Sequence, residues 1–214
     1  RAQRKKMTEA CNEERFLRDV AEHKLEVIRD DGVNRHLRFQ KEPKSSVYRF
    51  DLITWPGHLC FTGDMGTYVF SRIEDMFEFF ITGSSKEGLN INTGYWAEKV
   101  LSVDRNGGIE EFSAEEFERA VKHDFDRCFE DSVNEEYTEK LRAECWDEIE
   151  EQILSRTDSE HDAYSAAYDF EHNGFTFVDF FEHDFKVYTF RYLWCLYAIV
   201  WGIQQYNQEK ERDE

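Results

Sequence analysis

The stretch Val47-Tyr48-Arg49-Phe50-Asp51-Leu52-Ile53-Thr54-Trp55-Pro56-Gly57-His58-Leu59-Cys60-Phe61-Thr62-Gly63-Asp64-Met65-Gly66-Thr67-Tyr68-Val69-Phe70-Ser71 decides the fold. Val47, Phe50 and Leu52 mark an alternating strand over residues 47–54, which Trp55-Pro56-Gly57 breaks. His58 to Thr62 and Gly66 to Ser71 form a further strand pair around the turn Gly63-Asp64-Met65-Gly66, where the backbone needs glycine. Upstream, Leu25-Glu26-Val27-Ile28 and His36-Leu37-Arg38-Phe39 read as two more strands with Asp30-Asp31-Gly32 between them. The first third of the chain is therefore a β-meander of about five short strands. A helix over 8–23, capped by Thr8 and carrying Phe16, Leu17 and Val20, precedes it.

Downstream the period changes. Ser71-Arg72-Ile73-Glu74 has capping-box spacing and predicts a helix carrying Met76, Phe77, Phe79, Phe80 and Ile81, ended by Gly83-Ser84-Ser85. Asn92 or Thr93 opens another helix through Trp96 and Val100, and Asn106-Gly107-Gly108 turns the chain. Ser113-Ala114-Glu115-Glu116 caps a helix with Phe117, Val121, Phe125 and Cys128 at helical spacing. Ser132-Val133-Asn134-Glu135 caps the next, whose Val133, Tyr137, Leu141, Cys145, Ile149 and Ile153 form a slowly winding stripe. A third acidic helix runs from about Ser159 to His172, stopped by Asn173-Gly174. The last, about Thr189 to Glu209, is apolar nearly all round between Leu193 and Ile203, which places it in the middle of the fold. Arg191 interrupts its apolar run, which is short for a membrane span.

The charge is distributed unevenly. The formal net charge is −19 over 214 residues, and residues 109–184 alone hold 25 Asp/Glu against 6 Lys/Arg. A field that one-sided repels nucleic acid and attracts basic protein surfaces. Abundant aromatics (19 Phe, 10 Tyr and 5 Trp) separate this chain from acidic disordered segments. The expected fold is α+β, an N-terminal antiparallel β-meander packed on a C-terminal acidic helical half with one buried central helix. Residues 1–108 form the β-rich half with flanking helices and 109–214 the acidic helical half, within one continuous fold.

The candidate partner-binding residues follow from the charge. Glu135, Glu136 and Glu139 crowd one helical turn, and Glu144, Asp147, Glu148, Glu150 and Glu151 crowd the next two. Like charges at i,i+4 destabilise a helix by a few tenths of a kcal/mol each. Fixed anions on a rigid element resemble a phosphate row and suit a basic groove; the plainer reading is a solvated surface that confers solubility. The basic start, Arg1, Arg4, Lys5 and Lys6, could pair with the acidic half of a neighbouring copy to form an oligomer.

No catalytic or cofactor motif matches this signal. The seven histidines include no HxxxH or HExxH pair, no segment fits an EF-hand loop, and GxSxG, Walker and GxGxxG patterns are absent, so neither metal nor cofactor is expected. His123 with Asp124, Asp126 and Cys128, and His183 between Glu182 and Asp184, place imidazoles beside carboxylates without metal-ligand spacing. Cys60 and His58 share one face of a strand, a spacing found in nucleophilic sites and also in ordinary cores. The five cysteines, an odd number without a CxxC pair, read as buried reduced thiols. If the chain is instead a small enzyme acting on a nucleotide signal or a protein side chain, His58, Asp64, Glu171 and His172 are its candidate groups.

Two strings, Trp55 to Phe70 and Tyr192-Leu193-Trp194-Cys195-Leu196-Tyr197-Ala198-Ile199-Val200-Trp201-Gly202-Ile203-Gln204-Gln205-Tyr206, extend this reading when taken with the Asp30-to-Phe39 hairpin. Together they resemble phage- and prophage-encoded accessory proteins, among them anti-defence proteins directed at the Gabija nuclease–ATPase system. The resemblance spans most of the chain. It implies an accessory phage protein acting in the host cytoplasm, and it carries over no active site. Taken with the acidic helices, the expectation is a non-enzymatic inhibitor that binds a host defence protein complex, without direct nucleic-acid or membrane contact.

Overall fold

The computed structural model describes residues 11–42, 45–81, 88–105, 107–129 and 135–213. The expected cap at Thr8, the stop at Gly83-Ser84-Ser85, the turn residue Asn106, the cap at Ser132 and the basic start lie outside these residues. The fold is α+β: an N-terminal six-stranded antiparallel sheet followed by helices in the C-terminal half.

The chain divides into two compact units, residues 1–110 with 188–214, and residues 111–187. The last helix groups with the sheet and not with the acidic helices. The division follows the charge, with 7 Lys/Arg against 24 Asp/Glu in the second unit and 20 against 22 in the first.

In the first unit, helix α1 (Glu13–Asp19) is capped by Asn12, whose Oδ1 accepts from Arg15 N at 2.8 Å. Strands β1 (His23–Asp31), β2 (Asn34–Lys41), β3 (Phe50–Trp55), β4 (His58–Gly63), β5 (Gly66–Ser71) and β6 (Val100–Val103) then lie side by side in chain order. β6 is a strand where a helix was expected to continue. Helix α3 (Thr93–Ala97), with Asn92 as its cap, ends before it, and Val103, Ser102 and Val100 pair with Tyr68, Val69 and Phe70 of β5. The capping box at Ser71 caps nothing. Ser71 N donates to Lys99 O at 3.0 Å and Arg72 N to Gly57 O at 3.2 Å, so sheet contacts hold both amides. The next helix, α2 (Met76–Ile81), starts later, with Asp75 Oδ1 accepting from Phe77 N.

One face of the sheet carries Leu37, Phe39, Phe50, Leu52, Leu59, Phe61, Tyr68 and Phe70, all buried. The long helix α7 (Phe190–Asp213) covers that face with Tyr192, Trp194, Cys195, Leu196, Ile199, Val200 and Ile203, also buried. Its start is held by Thr189, whose Oγ1 accepts from Tyr192 N. Trp194 lies 5.0 Å from Phe16 and 5.6 Å from Phe50, centroid to centroid, both edge-on. Gly202 brings the helix backbone onto β2 and β3: a Cβ there would stand 2.8 Å from Leu52 Cδ1 and 3.1 Å from Phe39 Cε2.

The second unit has its own core. Helices α4 (Ala114–Phe129), α5 (Glu135–Gln152) and α6 (Glu160–Asp169) supply Phe117, Val121, Phe125, Cys145, Ile149, Ala163, Ala166 and Ala167. Ile153, Phe170, Phe180 and Phe185, on the segments after α5 and α6, complete it. Ser113 caps α4 as expected, its Oγ accepting from Glu116 N. The helix expected to reach His172 stops at Asp169. Asn173 and Gly174 instead form a tight turn with positive φ at both residues, closed by a backbone pair between His172 and Phe175. Strands β7 (Glu110–Phe112) and β8 (Lys186–Tyr188) pair where the chain passes between the two units. Among the described residues no helix is long and apolar enough to cross a membrane.

Candidate partner-binding surface

The side chains of α5 are sorted by burial. Cys145, Ile149 and Ile153 are buried, so the predicted stripe is the inward face from Cys145 onward, while Leu141 of the same stripe is only half-buried. At 3.6 residues per turn, Glu139, Glu150, Asp147, Glu151, Glu144 and Glu148 fan out in that order over roughly half the helix circumference, opposite that stripe. All are exposed except Glu148, which is half-buried. Glu135 and Glu136 open the helix, but their side chains lie outside the description. From Glu139 to Glu151 the helix rises roughly 18 Å, which gives one carboxylate per about 3.6 Å of axis. A single strand of B-DNA carries one phosphate per about 3.4 Å.

Four of the seven cations of this unit pair with carboxylates outside the α5 arc. Arg119 pairs with Glu116 at 2.6 Å, and Lys122 and Arg142 both reach Asp126, at 2.7 and 2.5 Å. Arg127 lies 3.9 Å from Asp124. The hydrogen bonds from Lys122, with that from Arg142, hold the Asp126 carboxyl below its ordinary range. Lys122 also sits over the Trp146 ring at 4.7 Å, against the flank of α5. Within the carboxylate arc, Lys140 approaches Glu144 at 3.7 Å, Trp146 Nε1 donates to Glu150 at 2.7 Å, and Gln152 donates to Glu148. Glu139, Asp147 and Glu151 form no ion pair among the described residues. One side of α5 is therefore left with little positive charge to compensate it.

A second polar cluster in this unit joins residues that the sequence kept apart. Asp124, buried on α4, accepts from His183 Nε2 at 3.0 Å through one oxygen and from His123 Nδ1 at 3.2 Å through the other. A sequence separation of 59 between Asp124 and His183 hides this pairing from any local motif. The available signal was a carboxylate at a core position, three residues after Val121 and beside Phe125.

Within the first unit, the candidate groups for chemistry His58 and Asp64 stand apart. His58 and Asp64 belong to the first unit but lie at opposite ends of β4, roughly 20 Å apart at 3.3 Å per residue. His58 Nδ1 donates to Pro56 O and its ring stacks on Trp55, while Asp64 accepts from Tyr48 N. Glu171 is exposed, and His172 Nε2 accepts from the neighbouring Asn173 amide. Cys60 lies half-buried on the same strand face as His58. Its thiol donates to Phe61 O, and burial pushes its pKa up, away from an activated thiolate. Of the five free cysteines, Cys11, Cys145 and Cys195 are buried as expected, whereas Cys128, in the last turn of α4, is exposed. No group of His, Cys, Asp and Glu among the described residues could hold a metal ion.

Set against known proteins, the chain matches no family model, and no curated protein or solved structure matches it.

Proposed function

We propose that this chain is a phage-encoded, non-enzymatic inhibitor. In the host cytoplasm it seats the acidic arc of α5 on the basic groove with which a bacterial defence nuclease complex, of the Gabija type, holds DNA. The observation that carries this reading is the carboxylate arc itself. Six anions are held on one half of a helix whose other half is locked in a core, at an axial spacing close to that of a phosphate strand. A rigid array requires little ordering on binding, and complementary charge speeds encounter.

The test is a charge reversal with a matched control. Glu139→Lys, Asp147→Lys, Glu150→Lys and Glu151→Lys together are expected to abolish capture of the purified nuclease complex and the relief of its DNA cleavage. The same number of reversals at the exposed Glu111, Glu115, Glu118 and Asp162 of the same unit are expected to leave both largely intact. Wild-type binding is expected to weaken steeply with salt. Equal loss in both variants reduces the effect to net charge, and unchanged inhibition by the first variant overturns the proposal.

A further inference from the structure

We propose that the outer edge of β1 pairs with β1 of a second copy of this chain, antiparallel about a twofold axis, so that the two sheets become continuous. β1 is a terminal strand of its sheet, and its nine residues present a row of backbone donors and acceptors on the side away from β2. Residues 26–31 are all exposed, including two adjacent apolar residues, Val27 at 46% and Ile28 at 44%.

The occupant is identified by charge. The register of β1 on β2 slips between Val27 and Arg29, leaving Ile28 as the extra residue of a bulge. Lys24 and Glu26 stand opposite Gln40 and Arg38, and beyond the bulge Arg29 and Asp31 stand opposite His36 and Asn34. Gln40, Arg38, His36 and Asn34 alternate along β2, so the bulge places Lys24, Glu26, Arg29 and Asp31 on one face of the sheet. Without it the first pair and the second would lie on opposite faces.

In an antiparallel pair, directly opposed side chains share a face. A twofold axis between Val27 and Ile28 puts Lys24 opposite Asp31 of the second copy, Glu26 opposite its Arg29, and Val27 opposite its Ile28. Each contact occurs twice. Slipping the register by two residues in one direction puts Lys24 opposite Arg29, and in the other puts Glu26 opposite Asp31. Both slips oppose like charges, so this register is favoured over either two-residue slip, and it is the one that uses all four charged residues of the row. The Arg29–Asp31 ion pair at 3.0 Å already lies along that face and becomes part of an alternating row across the axis. Such an interface is isologous and closes on itself. It does not depend on α5 or on the proposed inhibitory role.

The full chain is to be followed by sedimentation equilibrium and native mass spectrometry from low to high micromolar concentration. Wild type is expected to form a dimer. Glu26→Lys, or Arg29→Glu alone, opposes like charges twice and is expected to weaken the dimer by tenfold or more, on the order of what cross-strand charge pairs contribute. The double variant Glu26→Lys/Arg29→Glu restores both pairs and is expected to restore the dimer. Circular dichroism checks that each variant folds, and if one single variant does not, the other with the double variant carries the same test. A chain that stays monomeric throughout overturns the proposal. So does a dimer indifferent to these substitutions, or a double variant no better than the singles; a dimer lost only when residues 1–10 are removed places the contact at the basic start instead.

Discussion

Gly202→Ala tests how closely α7 rests on the sheet. Two effects oppose each other. Alanine is better than glycine inside a helix by about 1 kcal/mol. The added Cβ, however, would stand 2.8 Å from Leu52 Cδ1 and 3.1–3.2 Å from two Phe39 ring atoms, and both residues are fully buried. Overpacking of that kind costs about 1–3 kcal/mol. The expected balance is a net destabilisation of roughly 1 kcal/mol, in spite of the gain in helix propensity. Leu52→Ala alone should cost about 2–5 kcal/mol as a core truncation. In the double variant the methyl on residue 202 enters the space Leu52 vacates, so the two losses should fall short of additivity by at least about 1 kcal/mol. The assay is urea unfolding by tryptophan fluorescence in a Trp146→Phe background, which leaves only the four tryptophans of the first unit. A Gly202→Ala variant more stable than its parent, or additivity within about 0.5 kcal/mol, would refute the close approach inferred at this position.

Two further outcomes are expected from the buried polar groups. His183→Ala removes the donor on one oxygen of the buried Asp124 and should lower the stability of the second unit by about 1–3 kcal/mol in thermal unfolding, while Asp124→Asn/His183→Ala together should cost less than the sum of the two; an unchanged melting curve for His183→Ala would show that the contact contributes nothing. In the first unit, burial would raise the carboxyl of Asp51, but hydrogen bonds from Arg38 and His36 outweigh it and hold it below its ordinary range; Asp75 is held low in the same way by Arg35 and the Phe77 amide. Burial also pushes His23 down, so the folded state favours its neutral ring. A depressed folded-state pKa means that the unfolded chain takes the proton first, so each group contributes stability that is lost as pH falls. Denaturation midpoints should therefore decline first below about pH 6.5, through His23, and again below about pH 4, through Asp51 and Asp75. His23→Gln should remove the first step only, and a step that persists in that variant would exclude His23 as its source.

The sequence by itself determined the elements whose signal is local and periodic. The alternation from Phe50 to Phe70, with glycine at its turns, specifies the meander because side chains on a strand point alternately to its two faces. The all-round apolar run from Leu193 to Ile203 specifies a covered helix, because no face of it can be left in water without cost. The acidic composition of residues 109–184 and the helical spacing of Cys145, Ile149 and Ile153 were equally legible, and together they determine which half of α5 faces outward.

Tertiary structure alone decided the elements that depend on a distant partner. Ser71 carries the local mark of a helix start, but its amide is taken by Lys99 O, so the strand continues there. Val100 sits at helical spacing from Trp96, yet it is a strand residue because β5 offers an unpaired edge. Asp124 and His183 meet only once α4 and the segment before β8 have packed, and the bulge at Ile28 exists only in the pairing of β1 with β2. Periodicity records what a residue does to its neighbours in the chain. Sheet edges, buried ion pairs and the register of a strand are settled by contacts across tens of residues, and no local pattern encodes them.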